Sequence, residues 1–432
     1  MASPSSTLSV TQFVVARALH FLTPPGSLLS VIKNKYGDEY AKDGMKVGDT
    51  IQVPKPLRLS ATSGIEYNPQ GVIEQTVPLT VGINTQVPWE LGQFDQFLRY
   101  QDRPAKDFSG NSVFKKDVDT IAQAASLAMM SEITEDIAIF MAQNAGWGIG
   151  TPGVASTTGI NFLTARSVLN EQGLAQQAPS YVLMSSQQHA NLVNGTISQF
   201  NPAAAISQSY ETGMAPTSMV YGSRFMAEEL LYTHTVGNYG GVPLVNNAQT
   251  GTGGWNGTMS LVTDGWTPTT STLEVGDRFT ISGVFATVPN STASTGRLLQ
   301  FTVQQQAVAD GAGNKTIVVS PAITPTGPYQ NATAGAANNA PITVIGTANA
   351  VSRCGLVISP DALLMASVPL TIPSGVNTGG GMKSTAMRSP KSNLAISLTT
   401  GGNFTDLSFP NRMDCLYGRN MGYRELCVVV YS

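Results

Sequence analysis

The chain is 432 residues long, too long for one ordinary core, so two or three domains are expected. Only 12% of its residues are charged, about half the roughly 25% of a typical soluble protein, while 42% are hydrophobic, which excludes wholesale disorder. Its 24 Lys and Arg nearly balance 27 Asp and Glu, and the net charge of −3 argues against a protein that seeks out nucleic acid. A monomer with so neutral a surface would tend to associate. A subunit that hides much of that surface against its own copies would not, because interface cores are depleted of charge. A low-charge secreted or adhesive protein has the same composition.

Residues 1–44 read as an arm too small to fold alone. Within it Phe13, Val14, Ala18 and Phe21 give residues 11–22 helical spacing, Thr23-Pro24-Pro25-Gly26 stops that helix, and residues 28–36 suit a second one. Residues 45–91 read as an extended two-stranded hairpin, with Pro54 and Pro56 confining its first strand to an edge. Residues 112–144 hold no proline or glycine and carry an apolar stripe through Ile121, Ala125, Ile133 and Ile137, predicting a helix of about 50 Å. Gly146-Trp-Gly-Ile-Gly150 ends it. Mixed α/β follows: helices over 164–172 and 186–193, and strands over 180–184 and 242–246. From Thr250 the composition shifts to Gly, Thr and Trp. Short strands at 279–281, 299–303 and 316–319 then suggest a small barrel, and a Pro/Gly/Ala/Asn loop at 324–341 closes it. Mixed α/β resumes at Cys354, so the β segment reads as an insertion into a host domain.

The residues offer little chemistry. Nucleophilic hydrolysis needs a base beside the nucleophile, yet His20, His189 and His234 stand in no local pattern. Gly146–Gly150 lacks the lysine of a phosphate loop and follows a helix. The pairs Glu135-Asp136 and Glu228-Glu229 read as solvated helix positions. Cys354, Cys415 and Cys427 have no metal-ligand spacing and read as buried small hydrophobes in a reducing compartment. No catalytic, cofactor-binding or metal-binding residue is expected, and the chain is not expected to be an enzyme. The N-terminus lacks signal-peptide features and no segment approaches the roughly 18 apolar residues of a membrane span, which points to a cytoplasm and no membrane partner.

Three stretches resemble one family. Gly355-Leu-Val-Ile-Ser-Pro-Asp361-Ala-Leu-Leu-Met-Ala366-Ser-Val-Pro369-Leu370 looks like a late segment of tailed-phage major capsid proteins, where a strand leads to Asp-Ala, an apolar helix, then Pro-Leu. Leu273-Glu-Val-Gly276-Asp277-Arg-Phe-Thr-Ile-Ser-Gly283-Val284 is similar to the start of the inserted β-barrel in the coat proteins of short-tailed enteric phages. Asp414-Cys-Leu-Tyr-Gly418, then Tyr423-Arg424-Glu425 and Val428-Val-Val430, looks like the family's C-terminus, with its usual Arg-Pro-Glu altered to Arg424 directly before Glu425.

The resemblance implies an α+β chain with the Hong Kong 97-type capsid fold: N-terminal arm, extended β-hairpin loop, long spine helix, and peripheral and axial domains, with an inserted small β-barrel. Mapped onto this sequence, the arm is 1–44 and the extended loop 45–91. The peripheral domain is 92–155 completed by 376–432, the axial domain 156–249 completed by 348–375, and the inserted barrel 250–347. The implied function is a major capsid protein that self-assembles, as hexamers and pentamers, into the icosahedral shell around a phage double-stranded DNA genome. Implied partners are further copies of itself, a separate scaffolding protein, a portal, decoration proteins, and packaged DNA through non-specific contacts. Assembly is expected in the host bacterial cytoplasm, ending in the virion capsid. Lysine–asparagine cross-linking, known in some relatives, would need a loop lysine such as Lys46 or Lys55, and no carboxylate pattern in the sequence supports it. Two other readings stand beside this one. One is another phage structural protein such as a tail-tube subunit. The other is an adhesive or glycan-binding β-rich protein presenting Trp255 and Trp266.

Overall fold

In the computed structural model, an uninterrupted run of helix formers becomes the chain's longest described helix, Asp117–Asn144. Its 28 residues span about 42 Å. The helix starts later than its periodicity suggests because Ser112–Lys115 is drawn into an antiparallel ribbon with Arg103–Lys106. Met129, Ile133, Ile137 and Met141 recur every fourth residue and are fully buried.

The structure describes residues 28–32, 48–59, 72, 74–92, 103–106, 112–115, 117–156, 159–173, 179–196, 222–289, 291–370, 383–388, 394–401 and 408–431. The helix expected over 11–22 lies outside them, and of the one expected over 28–36 the helical turn Leu28–Val31 is described. Two compact units divide the chain.

The first unit takes Met1–Ile51, Leu79–Asp136 and Leu364–Asn420. Its sheet runs in the order Leu363–Val368, Ser408–Met421, Ala395–Thr400, Lys383–Arg388, and Ile83–Gly92 also pairs with Ser408–Met421. That pairing is antiparallel over ten register positions, from Ser408 opposite Gly92 to Tyr417 opposite Ile83. Leu363–Val368 corrects an expectation, since the resemblance implies an apolar helix after Asp361. The run is buried at Leu363, Met365, Ala366 and Ser367, and a short continuous apolar stretch fits a buried strand as well as a helix. Asp136 is a second correction. It is half-buried, not solvated: Tyr417 Oη donates to it at 2.7 Å and Arg419 grips it with Nε at 2.7 Å and Nη2 at 2.5 Å.

The second unit takes Gln52–Pro78, Ile137–Leu363 and Met421–Ser432 and holds two larger sheets. The mixed sheet runs Trp147–Ile149, Cys427–Tyr431, Val351–Ile358, Ser180–Met184, Ser223–Ala227. Cys427–Tyr431 is buried at every position, as a strand covered on both faces should be. Trp147–Ile149, read from sequence only as the end of a helix, pairs parallel to it. Gly148 makes this possible, since a Cβ there would lie 2.8 Å from Arg278 Cδ and 3.0 Å from the Tyr431 ring. The helices Ile160–Glu171 and Ser186–Thr196 complete this part.

The other sheet is antiparallel, in the order Gly241–Val245, Met259–Trp266, Lys315–Ser320, Ser294–Val303, Arg278–Thr287, Ile342–Val344. A single bridge, Leu244 opposite Pro341, links its two edges. The strands just before and after it, Thr233–Thr235 and Val351–Ile358, are themselves paired, with Thr235 opposite Val351. One hydrophobic cluster runs through both sheets, from Phe162, Val182 and Phe225 to Trp266, Phe279 and Phe301.

Candidate functional site

The two residues at the centre of the Leu273–Val284 motif, Asp277 and Arg278, are 1% and 2% exposed. A turn brings Asp277 into place: its own side chain accepts from Glu274 N at 2.7 Å, and Gly276 takes a positive φ of 95° that an L-residue rarely adopts. The same carboxylate accepts from Gly237 N at 3.0 Å and faces His234 Nε2 at 2.8 Å. With the proton on Nε2, His234 is a third donor. Gly237 is required for the close approach, because a Cβ there would lie 2.5 Å from Thr272 O and 2.9 Å from Asp277 Oδ2.

Arg278 points the other way along its strand. It donates to Tyr431 Oη at 2.5 Å, to Ala142 O at 2.8 Å and to Ala145 O at 3.3 Å. The two carbonyls belong to the last turn of Asp117–Asn144 and its C-terminal neighbour, where acceptors lack intrahelical donors and the helix dipole favours a cation. Gln300 adds a reciprocal pair with Gly148, donating to its carbonyl at 2.9 Å and accepting from its amide at 2.6 Å. Thr302 Oγ1 also donates to Ala145 O at 3.0 Å. The arrangement joins the start of the strand Arg278–Thr287 to the end of a helix and to the strand Cys427–Tyr431 of the mixed sheet. Its chemistry is that of a clamp: buried charge held by hydrogen bonds through Arg278 Nη1 and Nη2 and through the Asp277 carboxylate, while Arg278 Nε has no partner among the described residues.

Lys315, a strand away, titrates where this can be tested. It lies under the Trp266 ring, with Nζ 4.0 Å from the centroid, and reaches Ser271 Oγ at 3.3 Å. Burial pushes its pKa from 10.5 down to about 8, with the Asp277 charge pulling it back up. Between these two values the unfolded chain holds more protons than the folded one. This lysine's contribution to stability is therefore lowest below about pH 8 and rises as pH climbs toward 10.5. Lys315→Met is expected to remove that rise. Measured by urea denaturation, the variant's stability relative to the wild type should be greatest near neutrality and should decline toward pH 10. A constant difference across that range would refute the assignment.

The other sequence-singled residues are dispersed. His189 is buried against Phe225, with ring centroids 6.2 Å apart, and burial lowers its pKa. His20 and Lys46 lie outside the described residues. Glu228 and Glu229 are not on a helix. Glu228 is buried and accepts from Leu230 N, while Glu229 accepts from Ser186 N at 2.7 Å at the start of Ser186–Thr196, and hydrogen bonding from the Ser186 side chain and amide lowers its pKa. All three cysteines are buried free thiols, and burial pushes Cys354 up to about 11 and Cys415 and Cys427 up to about 12. Among the described residues no group of three His, Cys, Asp or Glu could hold a metal ion. Trp255 and Trp266 are 5% and 2% exposed, which removes the ring faces a glycan platform would present.

A family model described as "P22 coat protein - gene protein 5" matches residues 29–427. Among solved structures, the chain is similar to one described as Mycobacterium phage Che8, at 9% identity and TM-score 0.45, covering 94% of this chain and 90% of that one. It is similar to one described as Gordonia phage Cozz, at 10% identity and TM-score 0.40, covering 100% and 98%. The CUS-3 coat protein I-domain matches at 25% identity and TM-score 0.18, covering 24% of this chain and 94% of that one. No curated protein matches the chain.

Proposed function

The chain belongs to the P22 coat protein family and is a major capsid protein that forms a phage shell; from that premise we propose that it builds the icosahedral capsid of a short-tailed phage around double-stranded DNA. The observation that carries this reading is the family match across residues 29–427. The sparse charge, 12% of residues, supports it, because extensive subunit interfaces account for a surface that would otherwise aggregate.

The finer architecture is part of the same proposal. The chain adopts the Hong Kong 97-type fold, with arm 1–44, extended loop 45–91, a spine helix in the peripheral domain and an axial domain. Residues 250–347 form a small inserted β-barrel. Two observations support the insertion: the six-stranded antiparallel sheet has edges that meet at Leu244 and Pro341, and its flanking strands pair with each other. A chain that leaves and re-enters at hydrogen-bonded neighbours interrupts its host with little strain.

Assembly in the host cytoplasm then takes hexamers and pentamers of this chain, a separate scaffolding protein and a portal, with decoration proteins added to the shell and DNA held through non-specific contacts. Subunits would rotate as rigid bodies when the shell expands while arm and loop keep hold of their neighbours. Negative-stain electron microscopy of the protein expressed with and without its neighbouring scaffolding gene tests the proposal. Closed shells of uniform diameter are expected with the scaffold, and their loss on deleting residues 1–44 is expected if the arm holds neighbours. Discrete monomers or small rings under every condition would sink it.

A further inference from the structure

Lys55, Asn256 and Glu425 are far apart in sequence and meet in the second unit, where Lys55 and Glu425 line one pocket and Asn256 accepts from Lys55 beside it. Lys55 Nζ donates to Asn256 Oδ1 at 2.8 Å and stands 3.9 Å from Glu425 Oε1. The side chains of Lys55 and Glu425 are 8% and 1% exposed. An ion pair would bring the ammonium onto the carboxylate. Here the amine is nearer to the amide, and Arg58 Nη2 approaches Glu425 Oε1 at 3.3 Å. Two atoms of the group, Asn256 Nδ2 and Glu425 Oε2, are buried with no hydrogen-bond partner among the described residues. Unpaired buried polar atoms are destabilising, and here both sit where a reaction would use them.

The backbone fixes all three positions. Asn256 ends the turn Gly254–Asn256, which depends on positive φ at Gly253 and Gly254; a Cβ on Gly254 would lie 2.5 Å from Tyr329 O. Glu425 sits in the turn Arg424–Leu426. Lys55 N donates to Gln75 O at 2.8 Å, and the Gln75 side chain donates to Gly253 O at 3.2 Å. The walls are aromatic: Lys55 Nζ lies 4.6 Å from the centre of the Tyr423 ring, and Trp255 and Tyr329 line the same cavity of about 60 Å³. That volume holds a molecule the size of water or ammonia.

We propose that Lys55 and Asn256 form an intrachain isopeptide bond, with Glu425 carrying the proton. Glu425 takes a proton from the Lys55 ammonium. The free Nζ attacks Asn256 Cγ, one bond beyond the oxygen it already contacts, and its lone pair forms the new C–N bond while the carbonyl π pair moves onto Oδ1. A proton passes from Nζ to Nδ2, the carbonyl re-forms, and the Cγ–Nδ2 bond breaks with its electron pair leaving on nitrogen as ammonia. Ammonia takes the proton held by Glu425, which returns to carboxylate. The products are one secondary amide and one ammonium, with no oxidant or co-reactant. Burial lowers the Lys55 pKa, helped by Arg58 and Arg424 and opposed by Glu425, so the nucleophilic amine is within reach. The bond closes a loop between positions 201 apart and ties the segment Gln52–Pro78 to the turn between the strands Gly241–Val245 and Met259–Trp266. It lies within one chain, so denatured subunits remain separable.

Intact-mass spectrometry of the purified full-length chain, with sequencing of its proteolytic peptides, is the test. The expected result is a mass short by one ammonia and a branched peptide joining Lys55 to Asn256. Lys55→Arg should restore the full mass and slow migration in a denaturing gel, because the closed loop is lost. Glu425→Gln should restore it as well, and retention of the bond in that variant would overturn the role of Glu425. A folded wild type with full mass would overturn the proposal. So would an ammonia loss that persists in Lys55→Arg without a branched peptide, which would assign it to ring closure at Asn256-Gly257.

Discussion

Asp277→Ala is expected to destabilise the full-length chain by about 3–5 kcal/mol, the range for removing one partner from a buried charged network. Three donors converge on this carboxylate: the amides of Gly237 and Glu274, and the His234 ring. Alanine leaves all three buried without this acceptor. It also removes the negative charge that favours the ammonium of the buried Lys315, so a cation loses its compensation. Asp277→Asn should cost distinctly less, because its amide oxygen still accepts from the backbone. Urea denaturation of the three proteins orders them, and equal stability of wild type and Asp277→Ala would show that the clamp contributes nothing. A variant that folds but melts low should also yield fewer closed shells at elevated temperature, linking the clamp to the assembly role.

The clamp shows where sequence reading reaches and where it stops. Leu273–Val284 stood out as a motif, and Asp277 and Arg278 were within it. Their roles were hidden because their partners are Ala142, Ala145, His234 and Tyr431, which no spacing rule connects. Local signals served well. Ser180–Met184 and the helix from Ser186 follow directly from apolar runs and their periods. The composition shift at Thr250 marked the β segment, though its first strand starts earlier, at Gly241, where the residues look like those of the host. Errors came where tertiary pairing decides. Trp147–Ile149 is a strand only because Cys427–Tyr431 lies beside it, and the apolar run at Leu363 is a strand because a sheet receives it. Asp136 looked solvated because Arg419 and Tyr417 arrive from 280 residues downstream or more. The pocket at Lys55 is the extreme case. The supporting carboxylate that the sequence lacked nearby is Glu425, supplied by the last turn before the final strand.

Phe279→Ala should be comparably severe and bears on whether residues 250–347 are a unit in their own right. Phe279 is fully buried, stands opposite Phe301 in the register and packs on it with ring centroids 5.6 Å apart. Its other neighbour is Val344 on the edge strand. Truncation empties the middle of this stack, and a buried Phe→Ala change costs about 3–5 kcal/mol. The hydrophobic cluster around it does not end with the sheet, since it continues into Trp147, Val357, Val428 and Val430 of the mixed sheet. Arg278, the adjacent residue, is bonded to Tyr431 on the last of those strands. A loss centred on Phe279 should therefore propagate. Hydrogen exchange of the variant is expected to show amides of Gly241–Val344 and of Cys427–Tyr431 losing protection together, as one cooperative unit. If exchange rises only within Gly241–Val344, the β segment opens by itself, and the shared core and the Arg278 clamp are too weak to bind its folding to that of the host.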